Sequence, residues 1–137
     1  MSEPPVVVVG AGPQGLAAAA HLVERGQEVV VLERGASVAA AVAEWGQVRL
    51  FSGWPELVDG AAQRLLERTG WVAPDSGYPT GDEWIDRYLA PLAAALGDRV
   101  RTGLTVTGIT RAGRDLVVDS GRAEAPFLVH TLDADGG

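Results

Sequence analysis

Val6 to Val9 form the first patterned stretch of the chain, four β-branched residues in a row without charge. Such a run predicts a short strand covered on both faces, because a strand with one wet face alternates. It leads into Gly10-Ala11-Gly12-Pro13-Gln14-Gly15, after which an alanine-rich stretch predicts a helix to about Arg25, with Gly26 as its stop. Val29 to Leu32 repeats the charge-free strand pattern, and Glu33 closes it. Helical spacing then takes over. Ser37 to Glu44 predicts a short helix, and Trp45 to Trp54 an extended segment whose two tryptophans either pack a subdomain or line a ligand pocket. Pro55 predicts a helix start, with Leu57, Val58, Ala61, Leu65 and Leu66 as its stripe, Thr69 near its end and Gly70 as its stop. Thr80-Gly81-Asp82-Glu83 reads as a capping box opening a third helix. That helix buries Trp84, Ile85, Tyr88, Leu89, Leu92 and Leu96, is kinked by Pro91 and stops at Gly97. Strands follow at Val100–Arg101, Leu104–Thr110, Asp115–Asp119 and Phe127–Leu132, with a turn at Gly113.

The stretch from Val6 to Glu33 carries the chemistry. Gly10 lets the chain turn sharply out of the first strand, Gly12 leaves room for a diphosphate against the backbone, and Gly15 lets the helix pack closely on the sheet. Ala17 to Ala20 extend that close contact. Unpaired N–H groups and the helix dipole near Pro13 and Gln14 favour negative charge. Gly10, Ala11, Gly12, Pro13, Gln14 and Gly15 are therefore the candidate diphosphate loop. Glu33, with Arg34 beside it, is the candidate sugar end: its carboxylate can accept from ribose hydroxyls and would repel a 2′-phosphate. This first site should take FAD or NAD, not NADP. A bare βαβ turn without ligand is the competing reading. The strand before, the helix after, the stop at Gly26 and the acid at Glu33 all stand where binding needs them.

Composition narrows the partners. The 137 residues suffice for one domain with a real core. A net charge of −7 and no basic cluster argue against nucleic acid or an anionic membrane. All 11 basic residues are arginine, so the chain offers no lysine nucleophile. Without cysteine there is no disulfide, thiolate metal site or redox dithiol, and two isolated histidines make no metal site. The N-terminus has no basic residue and its apolar run is broken by Gly10, Gly12 and Pro13, unlike a signal peptide. No stretch approaches the ~20 apolar residues that span a bilayer. A soluble cytoplasmic protein is expected.

The pattern resembles the N-terminal part of FAD-dependent, NAD(P)H-using oxidoreductases of the flavin-containing monooxygenase type. Gly10 to Leu16 has the GAGPxGL form of FAD proteins, and Ala19 and Gly26 match the small residue and later glycine of the extended fingerprint. Tyr78-Pro79-Thr80 through Tyr88-Leu89 is similar to a segment of these monooxygenases. Leu104 to Ile109 is similar to the segment whose backbone meets the adenine, with Val106 as the contact. Trp45 and Arg49 fall where the family lines FAD, although its usual Gly-Gly-x-Trp is here Ala41-Val42-Ala43-Glu44-Trp45.

The resemblance implies an α/β fold: a Rossmann-like FAD-binding βαβ unit (1–35), a mainly helical insertion (36–99) and a C-terminal β-hairpin or meander (100–137). A second glycine motif, a phenylalanine-glycine and histidine signature and an ATG-type segment do not occur. With a hairpin-turn composition at Asp133 to Gly137 and no returning strand, the domain is expected to be truncated and inactive alone. In the full-length enzyme NADPH would reduce the flavin, and a flavin hydroperoxide would oxygenate a small molecule. No catalytic residue is assigned within the chain. A non-catalytic module sensing NAD or an adenine nucleotide, or a fragment of an NAD dehydrogenase, is the alternative.

Overall fold

The computed structural model describes residues 4–111, 126–133 and 135–136. Strand β1 (Val6–Val9) pairs in parallel with β2 (Val29–Leu32), register Val6 to Val29 through Val9 to Leu32. Helix α1 (Pro13–Glu24) makes the crossover, and β3 (Val100–Arg101) adds to the far side of β2. The expected βαβ unit and α/β class are thus present. Central β2 is nearly dry, as a parallel strand flanked on both sides must be. β1 corrects the expectation of a strand covered on both faces: Val6 is 40% and Val9 56% exposed. It is an edge, and among the described residues no strand pairs with its outer side.

α1 buries Leu16, Ala19 and Ala20 and ends one residue short of the predicted Arg25, with Gly26 beyond it at φ +75°. α2 (Ala40–Ala43) is shorter than the Ser37–Glu44 helix predicted. The tryptophan-flanked segment is not an extended strand. Val48 N–H bonds back to the Trp45 carbonyl, and only Arg49, in an isolated bridge with Thr80, has a strand-like pairing.

The single helix predicted from Pro55 to Thr69 is two, α3 (Trp54–Leu57) and α4 (Gly60–Glu67). The break lies at Val58–Asp59 because Asp59 is worth more as a cap. Its carboxylate accepts from Ala62 N–H at 3.0 Å, and its own N–H donates to the Tyr88 hydroxyl at 3.1 Å. Partial burial pushes the Asp59 carboxyl up, but the Ala62 and His21 bonds outweigh it and hold it below the ordinary value.

The capping box forms as predicted at Thr80, both halves at 3.2 Å, and opens α5 (Gly81–Trp84). A π-helical turn (Ile85–Leu89) leads into α6 (Ala90–Leu96). The disturbance predicted at Pro91 is accompanied by this π-helical turn, which ends two residues before it. Pro91 has no N–H for the Arg87 carbonyl four residues back. The Trp71 indole N–H supplies the missing bond at 2.8 Å. α1, α4 and α6 pack on one another around Leu66, Tyr88, Leu89, Leu92 and Leu96.

Strands β4 (Leu104–Arg111) and β5 (Phe127–Asp133) form a separate antiparallel pair with a bulge between Val106 and Gly108. The strand expected at Asp115–Asp119 and the turn at Gly113 lie outside the described residues, as do Ala134 and Gly137 of the terminal turn. No described helix is long and apolar enough to cross a membrane.

Candidate functional site

Gly10 leaves β1 with φ +100°, a left-handed conformation that glycine adopts without cost, while its N–H still bonds the Leu32 carbonyl at 2.7 Å. The chain therefore turns at once into α1. Gly15, one helical turn in, lies against that corner. A Cβ there would collide with the Gly10 carbonyl oxygen and come within 3.4 Å of Val8 Cγ1. Gly12, the N-cap of α1, is different: a Cβ would meet no protein atom within 4 Å. Among the described residues no group accepts from the Gly12, Gln14 or Gly15 N–H. Three donors at a helix N-terminus from which no described group accepts make an anion-binding corner.

Glu33 is 9% exposed and both its oxygens are engaged. Oε1 accepts from Ala11 N–H at 2.8 Å and Oε2 from Gly35 N–H at 2.7 Å. Ala39 N–H donates to the Ala11 carbonyl at 2.9 Å, so Ala11 is held through both backbone groups. Ala39 sits at φ 56°, the one described non-glycine residue with a positive φ. Beyond β3, Leu104 N–H donates to the Glu33 carbonyl and Gly103 N–H to the Gly35 carbonyl.

These elements wall a cavity of about 760 Å³. Gly10, Gly12, Glu33, Arg34 and Val106, five of the residues singled out in the sequence, line it together. The other candidates have other positions. Ala11 is buried and spends its N–H on Glu33, Gly15 packs helix on strand, and Pro13 and Gln14 begin α1 without lining the cavity. Trp45 and Arg49 are not among the residues that line it. Arg49 Nη1 donates to the Tyr78 carbonyl at 2.6 Å and lies 3.7 Å from Glu83. Gly81 packs so closely on the Trp45 ring that a Cβ would come within 2.9 Å of it. Both residues fasten α5 to the preceding loop. Ala39, Ala40, Ala41 and Glu44 line the cavity without having been picked out. Their signals in the sequence are a run of small residues soon after Glu33 and, for Ala41 and Glu44, the stretch that stands where the resembled family has Gly-Gly-x-Trp.

The residues present fit the ADP half of a dinucleotide. The corner offers unpaired donors to a diphosphate, the volume lies in the range of small-molecule sites, and the Glu33 carboxylate has lone pairs beyond the two in use.

Residues 5–84 match the family model described as FAD dependent oxidoreductase. Over 105 residues the chain is 38% identical to indole-3-pyruvate monooxygenase YUCCA1 of Oryza sativa subsp. japonica, covering 75% of this chain and 24% of that protein. Bacillithiol disulfide reductase Bdr (YpdA) from Bacillus cereus superposes with TM-score 0.73 at 22% identity, over 99% of this chain and 36% of its own. OTEMO, in complex with FAD and NADP, does so with TM-score 0.64 at 20% identity, over 95% and 23%. At such identity the two structures speak for the fold. The chain spans from just under a quarter to just over a third of the length of these proteins.

Proposed function

The chain belongs to the FAD dependent oxidoreductase family, and from that premise we propose that its cavity holds the ADP half of FAD. One observation carries the reading: Gly10, Gly12, Glu33 and Val106 face a single cavity at the N-terminus of α1. The diphosphate would sit at the Gly12 end of the cavity, where the Gly12 N–H and those of Gln14 and Gly15 just beyond the lining would bind it, and Glu33 would bind the ribose hydroxyls. The β4 segment around Val106 would close over the adenine. When bound, FAD supplies the electron-transfer chemistry, and the chain contributes position and charge around it. Titrating the apo chain with FAD tests this. FAD should bind with quenching of flavin fluorescence, and ADP should compete. Binding of NAD with no binding of FAD would overturn it in favour of the sensor or dehydrogenase alternative.

We propose further that, in a protein as long as the relatives above, this segment serves an NAD(P)H-using monooxygenase acting on a small molecule. Support comes from the 38% identity to a plant enzyme named as a monooxygenase and from a neighbour that holds both FAD and NADP. Such a protein should consume oxygen as it oxidises NADPH. NADPH oxidation without oxygen uptake would exclude oxygenation.

A further inference from the structure

Glu33 stands where a sugar-binding acid is expected, yet both its oxygens are already bonded to backbone within the chain. We propose that Glu33 is a positioning residue, setting the glycine turn by accepting from the Ala11 and Gly35 N–H groups before any nucleotide arrives. This rests on the cofactor reading above and adds a role that contact with ribose does not supply.

The bonds on either side of Glu33 make the case. Ala11, the second residue of the glycine turn, is pinned twice, its N–H by Glu33 and its carbonyl by Ala39 N–H. Both partners come from the segment after β2, so that segment dictates the path of the turn. The segment is itself fixed from the other side: Glu33 N–H donates to Arg101, while Leu104 and Gly103 donate to the carbonyls of Glu33 and Gly35. Glu33 is thus the point at which the glycine turn, the β2 end and the β3–β4 wall are tied together. With Ala11 N–H turned to the carboxylate, the donors left for a diphosphate are those of Gly12, Gln14 and Gly15. A carboxylate suits the task because it offers two acceptors in one plane. A carboxamide would set an N–H₂ against one of the two backbone donors. Gly35 also fits this account, since a Cβ there would lie 3.0 Å from Glu33 Oε2 and 2.7 Å from Ala40 Cβ.

The two roles of Glu33 separate on a ligand that lacks the sugar hydroxyls. ADP and 2′,3′-dideoxy-ADP are titrated calorimetrically into the wild-type chain and into Glu33→Gln, with folding checked by circular dichroism. A positioning role predicts that Glu33→Gln weakens both ligands, dideoxy-ADP by about tenfold or more, as for a lost bond to a charged group. Unchanged dideoxy-ADP affinity in the variant would overturn the proposal, whatever happens to ADP. If the wild type binds neither ligand, the cofactor reading itself falls. Should the variant not fold, amide exchange on the ligand-free wild type decides. Ala11 and Gly35 should be protected, and exchange at the rate of an open loop would refute the clamp.

Discussion

A methyl group at position 15 and one at position 12 have opposite expected consequences, although both glycines belong to the same turn. At Gly15 the added carbon strikes the Gly10 carbonyl, a backbone atom that cannot move without displacing β1. Gly15→Ala should therefore cost about 1–3 kcal/mol of stability, read by urea unfolding. At Gly12 the space is open and φ is −86°, which alanine accepts. Gly12→Ala should leave stability within about 0.5 kcal/mol while weakening FAD at least roughly tenfold, because Gly12 lines the cavity and a methyl group there would take space from the diphosphate. Loss of stability without loss of affinity would reverse the two assignments. The glycine spacing marks both positions in the sequence. Which one serves packing and which one access is visible only in the neighbours each would touch.

Among the elements, Asp59 and Pro91 decide how the helices break and bend. Asp59 caps α4 and bonds His21 on α1 at 2.9 Å. Asp59→Ala should cost about 1 kcal/mol in chemical unfolding. Burial works against ionisation of Asp59, but its bonds prevail and keep the folded carboxyl below the ordinary value of 3.8. Its stabilisation is complete above that value and is lost as pH falls through the lower folded one. Asp59→Asn keeps the cap and should flatten that acid limb of the thermal-midpoint profile. At Pro91 the missing N–H is replaced by the Trp71 indole. Trp71→Phe should cost about 0.5–1.5 kcal/mol, and less in a Pro91→Ala background, where an N–H returns to the Arg87 carbonyl; a double-mutant cycle measures the difference. The capping box and Pro91 are local signals and were readable in the chain. The division of α3 from α4 was not, because apolar residues continue across Val58 at helical spacing. Asp59 acts as a cap there with Tyr88, far along the chain, taking its N–H.

For the whole molecule, a ligand that binds only the folded state raises its stability by mass action. FAD at about a hundred times its dissociation constant should add roughly 2.7 kcal/mol, seen as a higher thermal midpoint. That rise should vanish in Gly12→Ala. The parallel β1–β2 pair, the α1 crossover, the turn at Gly10 and the acid after β2 are local matters of backbone preference and apolar pattern, so 28 consecutive residues sufficed to specify them. The chain could not reveal the contacts that Trp45 and Arg49 make with α5 and the loop before it, nor that among the described residues β1 is an edge. It was equally silent on Glu33 spending both oxygens on Ala11 and Gly35. Those outcomes depend on which distant segments meet, and such meetings are settled by packing and by the need of buried polar groups for partners.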